Sequence, residues 1–296
     1  MRPYSIPLFL VVLLAATESF SQPVSSRVVE DGGTGKYSAI MMMEASLPTH
    51  TIFRPKDMGT FGKKDKLPVI AWGNGACFNS PWEHVNFLNE VASHGFLVLA
   101  IGTMPSESGE KVRGSSSSSL LLAAVDWAIA QNKDKSSPYY GKLDITKIAV
   151  SGMSCGGLQA LEVAGDPRIS TLGVFNSGIF TNPREGMPGL PKITKEQINQ
   201  IHTPTLYLLG GPSDIAYQNG MDDFKQINHV PVLVGNLDVG HGGTYAQPHG
   251  GEFARVATAW YKWQLKGDRE AGKLFTGNPP GLSQSAGWTA EKKNMP

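Results

Sequence analysis

The 296-residue chain predicts an α/β fold with a mostly parallel central sheet and helices on both faces. Short apolar runs alternate with helix-like stretches along most of its length, the pattern of repeated βα units. The sequence Gly152-Met153-Ser154-Cys155-Gly156 lies between the apolar run Ile148-Ala149-Val150 and the helix-like Gly157–Val163, so it reads as a sharp strand-to-helix turn. Two later apolar runs, Thr205–Leu209 and Pro231–Val234, are followed by the glycine-rich loops Gly210–Asp214 and Val239–Gly243. Loops at the carboxyl ends of such strands gather on one edge of the sheet.

At the start, Met1-Arg2 precede an apolar stretch from Ile6 to Ala16, and Ser19-Phe20-Ser21 precede Gln22. A positive start, a short apolar core and a small-x-small site predict an export signal over residues 1–21, too short to span a membrane. Residues 22–296 then form one domain with a loop-rich tail from about Gly267, and the protein is expected to be secreted, extracellular and monomeric. Ser38–Glu44 and Thr51–Pro55 read as a leading antiparallel pair, followed by a polar turn over Asp57–Lys66. Leu67–Trp72 is a strand, Glu83–Ser93 a helix and Phe96–Ile101 a strand. The serine tract Ser115–Ser119 is expected to open the helix Leu120–Gln131. Lys147–Ser151 is the strand that enters the turn, Gly157–Ala164 the helix that leaves it, and Leu172–Phe175 the next strand. Asn182–Pro191 is rich in Pro and Gly and leads into a short helix over Lys195–Ile201; together they are expected to overhang a pocket. Glu252–Lys266 closes the domain as a helix.

The chemistry centres on Ser154. A strained turn with small flanking residues presents its hydroxyl at the end of the sheet, as a nucleophile elbow does. An acid and then a histidine should follow in chain order. Asp214 and His241 sit in the right loops; His249 is the rival base, and Asp222, Asp223 and Asp238 are weaker rivals for the acid. An oxyanion hole needs one N–H from the residue after the nucleophile, Cys155, and one from the loop Gly73-Asn74-Gly75-Ala76-Cys77. Ala76 is the candidate there, with Cys77 the alternative. Cys77 and Cys155 are the only two cysteines. An even count in an exported chain favours a disulfide, the alternative being two buried thiols. Two cysteines without paired-ligand spacing predict no metal, and no cofactor is implied. With a net charge of +1 and evenly mixed signs, no basic stripe invites nucleic acid or anionic lipid. No Asn-x-Ser/Thr acceptor is present.

Ala92-Ser93-His94-Gly95-Phe96, Ser136–Asp144, Gly152–Gly157, Ala259-Trp260-Tyr261 and Leu265-Lys266-Gly267-Asp268 together resemble the α/β-hydrolase superfamily. The likeness is to its branch of dienelactone-hydrolase-like proteins and secreted cutinase-like polyester hydrolases, from about Thr51 to Asp268. The resemblance implies Ser154 as nucleophile, Asp214 as acid, His241 as base, and Ala76 with Cys155 as oxyanion donors. The chain departs from those polyester hydrolases at Ala76, where they carry an aromatic residue, and at Met153, where Trp or His is frequent. The insertion Thr181–Gln200 is a third departure. The reading is therefore an exported serine esterase that forms an acyl-enzyme on small or medium esters; the three departures count against solid polymers, and whether polymers are attacked is left open. A lactonase, a peptidase or a non-catalytic secreted binding protein on the same scaffold are the alternatives. Expected pocket walls are Phe78, Trp82, Met153, Ile179, Phe180, Ile215, Tyr217 and Tyr245.

Overall fold

The computed structural model describes residues 25–106, 114–181 and 190–296. The expected export signal and most of the Asn182–Pro191 stretch lie outside the described residues. Ten strands are present among the described residues: β1 (Ser26–Arg27), β2 (Ala39–Met43), β3 (His50–Pro55), β4 (Leu67–Gly73), β5 (Leu97–Ile101), β6 (Leu143–Met153), β7 (Thr171–Phe175), β8 (Thr205–Leu209), β9 (Val232–Leu237) and β10 (Trp288–Lys293). They form one sheet in the order β1-β2-β3-β5-β4-β6-β7-β8-β9-β10. Pairing is parallel from β5 through β4 and β6 to β9, and antiparallel at both margins. This is the mostly parallel sheet expected from the βα alternation, and the α/β-hydrolase architecture that the resemblance implies.

Helices α1 (Val85–Ser93) and α5 (Gly251–Lys266) cover one face; α2 (Ser119–Lys133), α3 (Cys155–Glu162) and α4 (Tyr217–Gln226) cover the other. Strand alternation divides the core between them. Val69 and Ala71 of β4 face α2 and α3, whereas Ile70 and Trp72 pack against α1 and α5. Both β4 and β5 are buried on both faces, which is why they read as continuous apolar runs.

Two local expectations are corrected. Ser115–Ser119 does not open α2 as a unit. Ser115 bridges to Phe78, and Ser116 donates both its N–H and its hydroxyl to the Cys77 carbonyl, so the helix starts only at Ser119. Serine side chains and backbone that bond to another loop are lost to the helix. The residues after Gly267 are not a surface tail. Asp268 caps α6 (Arg269–Gly272), Phe275 and Leu282 are fully buried, and β10 pairs with β9 along its whole length. The polar run Thr289–Lys293 conceals this strand, because an edge strand keeps charged side chains that a central one cannot. The short helix expected over Lys195–Ile201 is present as a 3₁₀ helix over Lys195–Gln200, and α4 adds an element with no counterpart among the expectations. No helix among the described residues is long and apolar enough to cross a membrane.

Two buried histidines make the fold acid-sensitive. Burial pushes His50 down to about 4 against the opposing hydrogen bond to the Leu120 carbonyl, and pushes His84 down to about 3. Between those values and the ordinary 6.5 the unfolded chain binds more protons, so stability falls as pH drops. From pH 6.5 to 5 the expected loss is roughly 1–2 kcal/mol for each histidine. Asp223, which burial pushes up to about 6, takes up a proton in the same window and offsets part of this loss. Urea unfolding at the two pH values checks the balance, and His84→Phe should make the fall from pH 6.5 to 5 smaller.

Candidate active site

β6 ends at Met153, and α3 begins at Cys155. Ser154 between them has φ 54° and ψ −116°, a strained conformation for a side chain other than glycine. Its N–H donates to the Phe175 carbonyl at 2.9 Å, and the Ser177 hydroxyl donates to its carbonyl at 2.7 Å. A Cβ at Gly152 would lie 2.3 Å from the Gly156 carbonyl oxygen, and one at Gly156 would lie 2.1 Å from Gly73. Strand, turn, helix and the loop after β4 thus meet at backbone contact, which only glycine permits.

Asp214 follows β8, and His241 follows β9. His241 Nδ1 lies 2.6 Å from Asp214 Oδ1, and His241 Nε2 lies 3.0 Å from Ser154 Oγ. A carboxylate only accepts, so Nδ1 carries the proton and Nε2 is left to accept one from the serine. The Asp214 side chain is inaccessible to solvent, whereas His241 is 28% exposed. Burial by itself raises the Asp214 carboxyl. Hydrogen bonds from His241, the Ala216 and Gly210 N–H groups and Asn176 outweigh it and hold the group below its ordinary value.

The rivals lie elsewhere. His249 Nδ1 is 3.6 Å from Glu30 and 3.7 Å from Glu90, beneath α1 and away from the serine. Asp222 and Asp223 both pair with Lys195, and Asp238 accepts from the Ser213 hydroxyl.

Ala76 and Cys77 lie in a tight turn after β4, with φ of 50° and 51°. Asn74 anchors this turn by donating to the Phe78 and Ile101 carbonyls at 2.9 and 2.7 Å. A disulfide joins Cys77 to Cys155 with a Cα separation of 5.1 Å, so the turn is tied to the first residue of α3. The bridge expected from the cysteine count is present, and the described residues contain no free thiol.

A cavity of about 630 Å³ opens over Ser154 and His241. Of the residues named as pocket walls, Phe78, Trp82, Met153, Phe180, Ile215 and Tyr245 line it, together with Leu158, Leu190 and His84. Ile179 and Tyr217 do not. The N–H of Ile179 is pinned to buried Asp223 at 2.9 Å, and its side chain enters the core while the next residue, Phe180, turns to the cavity. Tyr217 begins α4 and packs on the same core. No group of acidic, His or Cys residues fit to hold a metal occurs among the described residues.

The sequence reading missed Asn176 and Ser177, which touch Asp214 and Ser154. They follow β7 directly, so the strand-end rule that selected Asp214 and His241 would have selected them also.

A model of the PET hydrolase-like family matches residues 49–286, well over half of the chain. No curated protein matches it.

Proposed function

As the chain belongs to the PET hydrolase-like family and is an ester hydrolase by that membership, we propose that it is a secreted serine esterase working through Ser154, His241 and Asp214. The observation that carries the reading is the continuous line from Ser154 Oγ to His241 at 3.0 Å and on to Asp214 at 2.6 Å. His241 Nε2 takes the serine proton as Oγ attacks the ester carbonyl. Asp214 keeps the imidazole in the tautomer this requires and stabilises the cation that forms. The N–H groups of Cys155 and Ala76 receive the developing oxyanion, a contribution of ~2.7–4 kcal/mol for each donor. His241 returns the proton to the departing alcohol, and water activated by the same histidine releases the acyl group.

The work is done within one domain over residues 22–296, after removal of residues 1–21. A disulfide beside the site supports export to an oxidising compartment. The apolar cavity favours small or medium esters, with no cofactor called for. The test is a panel of nitrophenyl esters of graded acyl length, a peptide anilide and a polyester film, assayed with the mature protein. Rapid cleavage of the shorter esters, slow attack on the film and no anilide cleavage are expected. Preferential anilide cleavage would replace the esterase reading with a peptidase.

A further inference from the structure

Asn176 is fully buried at the end of β7 with φ 43°, a conformation that asparagine tolerates better than most residues. Its amide nitrogen lies 2.8 Å from Asp214 Oδ2 and 3.3 Å from the Gly240 carbonyl. Its amide oxygen lies 2.6 Å from the Tyr245 hydroxyl. The amide orientation follows from chemistry: a carboxylate and a carbonyl only accept, so the NH₂ group faces both and the oxygen must receive the phenol's proton. Tyr245 stays a donor at any working pH, since burial and the charge of Asp214 push its ionisation far up. The tyrosine is itself held edge-on against His84, Phe87 and Phe253.

We infer that Asn176 is a positioning residue for the hydrolysis, held in orientation by Tyr245, and that it fixes the acid and the histidine loop relative to each other. The inference rests on the proposed roles of Ser154, His241 and Asp214. One NH₂ group reaches both Asp214 and the carbonyl of Gly240, the neighbour of His241. It therefore spans the loops after β8 and β9. The Val239 and Gly240 N–H groups also join these loops by donating to the Gly210 carbonyl, and so does the Ser213–Asp238 bond. Asn176 is the link that holds the Asp214 carboxylate itself to the backbone beside His241. Gly210 and Gly243 leave room for it: a Cβ on either would stand 3.0 or 3.2 Å from an Asn176 side-chain atom. With Oδ2 held by Asn176 and the Gly210 N–H, Oδ1 is presented to His241. Small misplacements of such a carboxylate cost rate steeply, because the base must meet the serine proton in line.

Three variants test this. Asn176→Asp keeps shape and backbone but replaces the donor by an acceptor facing Asp214. Asn176→Gly keeps the positive φ and removes the amide, and Tyr245→Phe removes the proton that orients it. At pH 8, with folding verified by unchanged cooperative melting, kcat should fall by about 10–100-fold in Asn176→Asp and Asn176→Gly, with KM within about twofold. Tyr245→Phe should cost about 3–10-fold in kcat, and the double variant with Asn176→Gly should be no slower than Asn176→Gly alone. The low-field proton resonance of the His241 Nδ1–H bond should move upfield in Asn176→Asp. This signal needs no turnover, so it reports on Asn176 separately from the nucleophile assignment, which Ser154→Ala addresses. A folded Asn176→Asp with wild-type kcat and an unmoved resonance would overturn the inference. Multiplicative losses in the double variant would remove Tyr245 from it.

Discussion

Ser154→Ala is expected to lower kcat by about 10³–10⁶ with melting temperature and KM little changed. The serine occupies a conformation that the surrounding glycines impose, so removing its oxygen takes away the attacking atom without disturbing the turn. His241→Ala should fall in the same range, because the serine then loses the only base within hydrogen-bonding reach in the described structure. His249→Ala should leave kcat within about twofold, since its ring faces Glu30 and Glu90 rather than the cavity. Initial rates on a short nitrophenyl ester decide the matter. An unchanged rate in purified Ser154→Ala would remove Ser154 from the mechanism, and reversed behaviour of the two histidines would move the base to His249.

Loss of the Cys77–Cys155 bridge should be felt in both stability and rate. The bond closes a segment of sequence separation 78, and opening it should cost on the order of 2–5 kcal/mol by releasing the unfolded chain. It also ties the turn holding Ala76 to the residue after the nucleophile, so the paired Cys77→Ala/Cys155→Ala variant should lose about tenfold or more in kcat, with substrate binding largely kept. Guanidinium unfolding with and without reductant, read beside steady-state kinetics, measures the two effects. Two titratable thiols in the denatured, unreduced protein would refute the bridge. A destabilised variant with full kcat would show that the turn is held well enough by Asn74 and Ser116 alone.

The order of the central strands and helices was legible in the sequence, and so were the candidates Ser154, Asp214 and His241. Each rests on a local pattern. An apolar run long enough for a buried strand is followed by glycines that permit a tight turn, and a polar residue sits in the turn. That information lies within a few residues of the position concerned. The cysteine pair was legible for another reason: two thiols leave one possible intramolecular bridge.

What lay beyond the sequence depends on neighbours distant in the chain. The edge strand β10 reads as a polar tail until β9 supplies its hydrogen bonds. Ser116 reads as part of a helix start until the Cys77 carbonyl claims it. Ile179 and Phe180 are equal candidates for the cavity until a hydrogen bond to Asp223 sets which of two adjacent side chains turns inward, a choice that a shift of one residue would reverse. Asn176 acquires its partners only when three strand ends converge on it. The sequence by itself determined the buried central strands, most of the helices between them and the polar residues Ser154, Asp214 and His241 at strand ends, because backbone preference and burial are short-range properties. Only the tertiary structure decided which of those residues meet, because a hydrogen bond requires its two groups to lie within about 3 Å, and that distance is set by packing across the sheet.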